Sequence, residues 1–523
     1  MQRRLLILVP LVLVLVGGLV FIRSALNADV LRGAAEARLS AILGQPVSIG
    51  SVRVALMPVP AVVGSDVVVG SERASPELAL ERVRIVPRLG SLLRGSYVIR
   101  DVTLEGLTVR IVREPPGRWR FPAVVPAPGG DAGSGVVIER VRLRGGQVRI
   151  LELTGDQLRE TSRIDEIEGE AAADASGLRV TPISGRVGGA AITGEATVNP
   201  QEARFEFTLA RITGDDLDNV IGLAASEPPP FLALPRPASA SMAVRIDRGK
   251  SRLTGTGSLR AGEVGFYSLR LHRLEAPIKT DGSRITFAPA TFALYGGTHR
   301  GSMVVDLSKT PPRWSLDSSV TSVDAGDFLS ALTGHEQRVD GTASATAALH
   351  AGVGDAMPHG LQGRMQVAVV DGVIRQFPLL AAINRALRLA EGDTRDTRFE
   401  KLSATLAFGA AGSAATDDLL LLARDLRVEA AGRIGFDRSL DLAGLAVLSP
   451  ERASEAIRSV RELSGLRNDR GELELPIRIG GTLDDPSFGI DLKAALGRSI
   501  EEELRRRIRG LFRRDPGGDG APR

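Results

Sequence analysis

Between Val47 and Ile479 the apolar residues recur, segment after segment, at every second position. Phe205, Phe207 and Leu209 alternate with Glu206 and Thr208, and Leu473, Leu475, Ile477 and Ile479 alternate with Glu474 and Arg478. Successive side chains of a strand point to opposite faces, so this period builds strands with one apolar and one polar side. A sheet made of them is dry on one side only, which is the pattern of antiparallel pairing. Turn signals punctuate the run at Gly145-Gly146, Asp281-Gly282, Gly296-Gly297, Asp371-Gly372 and Gly480-Gly481. At Gly106 the apolar set shifts phase, from Val102 and Leu104 to Leu107, Val109 and Ile111, which reads as a turn between two strands.

A very long open sheet twists and must curl. The expected fold class is therefore mainly β: a long, curled antiparallel β-sheet groove with short interrupting helices and one N-terminal transmembrane helix. Helical spacing predicts short helices over 29–43, 324–333, 377–390 and 450–463. A weak repeat runs through the strands. Val180–Val198 and Ile285–Val305 share the order strand, Pro, strand, Gly-Gly, strand, and 419–436 keeps the rhythm without the Gly pair. Two Pro-rich breaks, 122–135 and 226–238, parse the chain. They leave β regions at 23–121, 136–225 and 239–486.

Leu5 to Ile22 is 18 residues without a charge, flanked by Arg3, Arg4 and Arg23. At ~1.5 Å per residue it spans ~27 Å, enough for a bilayer core. A cleaved signal peptide would have a shorter apolar region and a small residue where Leu26 stands. The segment is expected to stay as a single-pass anchor with residues 1–4 as a cytoplasmic stub. The bulk of the chain then lies on the far side of the membrane, which in a bacterium is the periplasm.

The chemistry-bearing residues are sparse. The chain has no Cys and five His among 523 residues, which excludes thiolate catalysis and Cys-ligated metal. No catalytic, cofactor-binding or metal constellation is apparent, so no enzyme activity and no cofactor are expected. Acidic and basic residues are interspersed and only 4% of residues are aromatic, which argues against nucleic-acid binding. Gly249-Lys250-Ser251 lacks the earlier glycine of a phosphate loop, with Val244 in its place, and reads as a turn. The pairs Asp215-Asp216, Asp417-Asp418 and Asp484-Asp485 read as caps of helices or turns, and the histidines as surface or turn residues. The last apolar stripe, Leu492, Leu496, Ile500, Leu504, Ile508 and Leu511, predicts an amphipathic helix over 487–514, ahead of a disordered tail at 515–523. Arg505, Arg506, Arg507, Arg509, Arg513 and Arg514 crowd its end, suiting an anionic membrane surface, a partner groove, or the open end of the sheet.

The order of several soft motifs resembles the AsmA family of the Gram-negative envelope and its larger TamB and YhdP relatives. They are the anchor and helix, Leu43-Gly44-Gln45-Pro46-Val47-Ser48-Ile49-Gly50, and Leu56-Met57-Pro58-Val59-Pro60. Leu92-Leu93-Arg94-Gly95 and Gly117-Arg118-Trp119 follow, with Arg120 where many relatives have Asn. Val323-Asp324 with Phe328-Leu329, Asp340-Gly341, Val370-Asp371-Gly372 and the closing Gly480-Gly481-Thr482-Leu483-Asp484-Asp485-Pro486 resemble its C-terminal region. The resemblance implies an inner-membrane protein of outer-membrane biogenesis that carries phospholipid along an apolar β-groove. Its implied partners are phospholipid acyl chains, the inner membrane and outer-membrane or envelope assembly proteins. The candidate groove lining is Phe205, Phe207, Leu209, Leu473, Leu475, Ile477 and Ile479. The alternative is an assembly or regulatory factor for outer-membrane protein insertion that holds no lipid.

Overall fold

The computed structural model describes residues 28–490, apart from 44, 56, 58, 71–76, 89–96, 115–117, 121–135, 175–176, 200, 224–231, 248–251, 310, 335–337, 354, 356–358, 378, 388–395, 410–411 and 484. The anchor Leu5–Ile22, the break at 122–135, Gly249-Lys250-Ser251 and the C-terminal arginines lie outside the described residues. No helix among the described residues is long and apolar enough to cross a membrane. The described chain is mainly β and forms two compact units. The first holds the chain up to Pro228 with Leu234–Arg260 and Ile278–Ile285; the second holds Pro229–Ala233, Ala261–Pro277 and the chain from Thr286.

In the first unit, helix α1 (Ala28–Leu43) precedes β1 (Val47–Ala55), β2 (Ala61–Val69), β3 (Leu78–Pro87) and β4 (Tyr97–Glu114). These four strands form an antiparallel meander. The side chains of α1 satisfy the outer edge of β1: Ser40 Oγ accepts from the Val47 N–H at 2.9 Å and Glu36 Oε1 from the Ile49 N–H at 2.7 Å. Covering an edge in this way removes a template for unwanted pairing. Short β5 (Arg118–Arg120) folds back on the end of β4, where Arg113 lies over the Trp119 ring and binds Glu152 at 3.0 Å. The Gly117-Arg118-Trp119 motif thus ends in a packing contact.

The chain then re-enters beside the start of β4 through β6 (Val136–Ile138), and β7 (Val141–Thr154) runs parallel to β4. Here the structure departs from an all-antiparallel sheet, because a chain returning to the start of the strand it has just left must pair in parallel. Antiparallel order resumes with β8 (Gln157–Asp174), β9 (Gly177–Val187), β10 (Ala190–Val198) and β11 (Glu202–Ile212). Helix α2 (Leu217–Gly222) follows, then β12 (Leu232–Ala233) of the second unit, and β13 (Ala238–Asp247), which pairs with β11. Strands β14 (Arg252–Phe266), β15 (Leu269–Thr280) and β16 (Arg284–Leu294) contribute residues to both units.

The second unit continues through β17 (Gly297–Asp306), β18 (Arg313–Asp324), α3 (Ala325–Thr333), β19 (Val339–Gly352), β20 (Gln362–Ile374) and α4 (Leu379–Ala386). It ends with β21 (Thr397–Gly409), β22 (Ser413–Ala423), β23 (Leu426–Gly435), β24 (Leu440–Leu448), α5 (Pro450–Ser459), β25 (Leu473–Gly481) and β26 (Pro486–Ile490). From β17 to β26 each strand pairs antiparallel with the next.

Several expectations need correction. Gly106 lies inside β4, at φ 66°, and makes no turn. Its left-handed backbone flips the alternation, so Leu104 and Leu107 pack on the same cluster of Val47, Ile49, Val67, Val69 and Leu80. A Cβ there would collide with the Glu81 side chain. Gly145 and Asp371 are likewise bulges within β7 and β20, whereas Asp281-Gly282 and Gly296 are true turns. Of the helix expected over 377–390 the described residues show Leu379–Ala386, and the one expected over 450–463 stops at Ser459 and passes into a 3-10 turn, Arg461–Leu466. Ser487–Ile490 is strand, where the spacing predicts the start of the C-terminal helix.

The repeat extends further than the hairpins. Strands β9–β10–β11, β16–β17–β18 and β22–β23–β24 are each followed by a helix, α2, α3 and α5. Each helix start is tied to the tip of its own hairpin. The Asp324 N–H donates to the Tyr295 carbonyl, the Ser449 N–H to the Asp425 carbonyl, and the Gly189 N–H to Asp216 Oδ1. The first two copies also share a cis peptide, Thr181-Pro182 and Ala288-Pro289.

Candidate functional site: an apolar face on β17–β21

Residues directly opposite one another in paired strands share a face, so the register assembles the dry side of the second unit row by row. One row runs Val323, Ala343, Val369, Leu402, Leu421, Val428, Ala446, Leu475 from β18 to β25. The next rows are His299, Val320, Ala345, Val367, Ala404 and Gly301, Ser318, Ala347, Met365, Leu406. A further row is Met303, Leu316, Leu349, Gly363, Phe408. On the reverse side β19 presents Thr342, Ser344, Thr346 and His350, and β20 presents Arg364 and Gln366, all exposed. The face is continuous and apolar apart from His299 and Ser318, and the reverse is mostly polar, with Ala348, Ala368 and Val370 among its β19 and β20 residues.

The face is covered in one zone and open in another. Over β22–β25 it is closed by the chain's own helices. Leu379, Ile383 and Leu387 of and just after α4, Ala453 and Ala456 of α5, and Leu463 and Leu466 pack with Leu421, Val428, Ala446 and Leu475 in one buried cluster. Over β17–β21 the rows through Ala345, Ala347 and Leu349 are half-buried: Met303, Leu316, Val367, Met365 and Leu406 all keep some exposure. Small residues, Ala345 and Ala347, line the β19 part of this zone, while Ala343 packs against the closed cluster.

The sequence-predicted lining residues fall on both sides of this division. Leu473 and Leu475 are 0% exposed, and Ile477 and Ile479 are buried beside them in the closed cluster. They line no open groove here, because α5 and its 3-10 extension lie in the same cluster. Phe205 and Phe207, in the first unit, are half-buried on a comparable face, opposite Ala196 and Val244, and Gly194 and Met242. Leu209 is buried next to Ile192.

His299, which the sequence reading puts at the surface, is 5% exposed. It stands on the dry face of β17, stacked on Phe292 with centroids 4.0 Å apart and planes 7° apart. Burial pushes its pKa below the usual histidine range. The Ala290 backbone pulls the other way, but its geometry falls short of a hydrogen bond, so neither ring nitrogen has a partner. A neutral imidazole is the form this setting favours.

The acidic pairs divide similarly. Asp216 caps as expected: it accepts from the Thr213 N–H at 2.8 Å, the Thr213 hydroxyl at 2.7 Å and the Gly189 N–H at 2.5 Å. Burial alone would raise its pKa, but the bonds from Thr213, Gly189 and Ala190 outweigh that and hold the carboxyl below its usual range. Asp418 sits instead beside the bulge in β22 and accepts from the N–H and the hydroxyl of Thr405, each at 2.6 Å. Asp485 closes a turn with Thr482.

Sequence reasoning missed His299 and the Ala-rich strand β19. Both were accessible to it. Gly297, His299, Gly301, Met303 and Val305 alternate with Thr298, Arg300, Ser302 and Val304, which puts the histidine with the apolar set. Comparison with family models, with curated proteins and with solved structures finds no match.

Proposed function

We propose that the open zone over β17–β21 holds the acyl chains of phospholipids. In this reading Leu5–Ile22 anchors the chain in the inner membrane, the β units lie in the periplasm, and the protein carries phospholipid between inner and outer membranes. The observation that carries the reading is a continuous apolar face left half-exposed by its own chain, with a polar face behind it. Each acyl CH₂ taken from water gains ~0.8 kcal/mol, so a chain laid along these rows is sheltered without any catalytic group. The motif order shared with the AsmA family supports the same role.

A second reading is an assembly or regulatory factor for outer-membrane proteins that holds no lipid. The closed cluster under α4 and α5 favours it, since that part of the face is occupied by protein. Phospholipid extracted from the purified full chain separates the two. Ala347→Glu, in the open zone, is expected to lower bound phospholipid at unchanged yield, and Thr346→Glu, on the polar face, to leave it unchanged. Equal lipid in both variants and the parent refutes the lipid path.

A further inference from the structure

The hairpin connecting β1 and β2 carries an apolar tip that the described fold leaves in the open. Met57 is 83% exposed, the most exposed large apolar side chain among the described residues, and Val59 and Val62 are each 36% exposed. Val59 and Val62 are no more exposed than Val370 at 40%, so it is Met57 that sets this tip apart. Arg53, exposed on β1, lies one residue pair away, and Arg84 reaches over from β3 so that its Nη2 donates to the Val59 carbonyl at 3.5 Å. The tip is therefore apolar at its end and cationic at its base.

The packing of α1 fixes where this tip points relative to the chain's start. Ser40 lies at Val47 and Glu36 at Ile49. Going back along the helix is thus going forward along β1: four helical residues, ~6 Å, match two strand residues, ~6.6 Å. Continuing that match, the helix start at Ala28 lies at the end of the sheet where β1 passes into β2. Residues 23–27, which span at most ~17 Å, are all that separate Ala28 from the uncharged stretch Leu5–Ile22.

We infer that the β1–β2 tip is a second membrane contact, with Met57, Val59 and Val62 entering the interface of the bilayer that Leu5–Ile22 spans and Arg53 and Arg84 meeting its anionic headgroups. The inference rests on the anchor reading and adds to it a fixed orientation of the first unit at the membrane surface. Interfacial apolar groups sit ~5–10 Å into the boundary between headgroups and acyl chains, and arginines at their base strengthen binding to anionic lipid.

The chain has no Cys, so a single introduced thiol is labelled cleanly. The full chain is reconstituted into vesicles of phosphatidylethanolamine and phosphatidylglycerol, with an environment-sensitive fluorophore at Met57→Cys, Leu13→Cys or Thr208→Cys. Quenchers are attached to the lipids at shallow or deep positions. The expected result is a blue-shifted Met57 probe that loses emission to the shallow quencher and not to the deep one, a Leu13 probe quenched by the deep one, and a Thr208 probe quenched by neither. Replacing phosphatidylglycerol with phosphatidylcholine is expected to weaken quenching at Met57 and leave Leu13 unchanged. A quenched Leu13 with an unquenched Met57 overturns the tip contact while the anchor stands. An unquenched Leu13 overturns the anchor, and the tip contact with it.

Discussion

Strands β17–β21 and β22–β25 are built on the same alternation and share one face, yet one part of that face is open and the other is a closed core. What differs is where the inserted helices lie, since α3 and α4 themselves follow β18 and β20. The connections after β20 and after β24 carry α4 and α5, whose apolar stripes lie down on the face and bury Leu421, Val428 and Leu475. Over β19 the face offers small side chains, Ala345 and Ala347, and the rows through them stay half-exposed. A period of two makes a dry face; the rows on which the inserted helices come to lie become core, and the rows they leave stay a surface for something else.

The largest effect should come from placing a charge on each side of this division. Leu475→Asp buries an unpaired carboxylate in the closed cluster and is expected to cost about 4 kcal/mol or more, enough to lose the protein. Ala345→Asp, in the open zone, is expected to cost under about 1 kcal/mol, because its carboxylate can reach water. Denaturant unfolding of the detergent-purified variants reads both, and equal costs would erase the distinction between the zones. Next in size, Ile383→Ala removes a 1%-exposed side chain of α4 and should destabilise the second unit by about 2–4 kcal/mol. The same variant is expected to make Leu475→Cys accessible to a thiol reagent, since it loosens the lid over that residue.

In the first unit, Asp216→Ala removes the group that ties α2 to the β9–β10 tip, at an expected cost of about 1–2 kcal/mol in thermal unfolding. Because the Asp216 pKa is lowered in the fold, its contribution is full above its ordinary value and is lost as pH falls through the folded value. The difference between parent and Asp216→Ala should therefore shrink at acid pH. The smallest effect concerns His299. Its pKa is lowered in the fold, so its neutral form supports stability above the ordinary histidine value, and that support fades as pH drops below it. His299→Phe keeps the stack on Phe292 and is expected to flatten this pH dependence of unfolding; an unchanged slope would assign it to other groups.

The sequence carried the strand faces faithfully. Leu473 to Ile479 and Phe205 to Leu209 lie on the dry side, as their spacing dictates. It was ambiguous where the alternation breaks, because a bulge and a turn both flip the phase: Gly106 and Asp371 continue their strands, while Gly296 ends one. The stripes of α4 and α5 were also visible, but a stripe does not state which surface it will cover, so spacing puts Leu473 and Leu475 on a dry face without telling lining from core, and they are core. The parallel pairing of β4 with β7 left no local signal, since it depends on where the intervening chain returns.

The central claim is that acyl chains occupy the open zone and are excluded from the closed one. A photo-crosslinking side chain placed at Met365, Gln366 or Leu475 in the full chain, irradiated in growing cells, tests it most directly. Phospholipid captured at Met365, with none at Gln366 on the polar face and none at Leu475 in the core, is the predicted result. No phospholipid at Met365 at normal protein level, or equal capture at Met365 and Gln366, would contradict it.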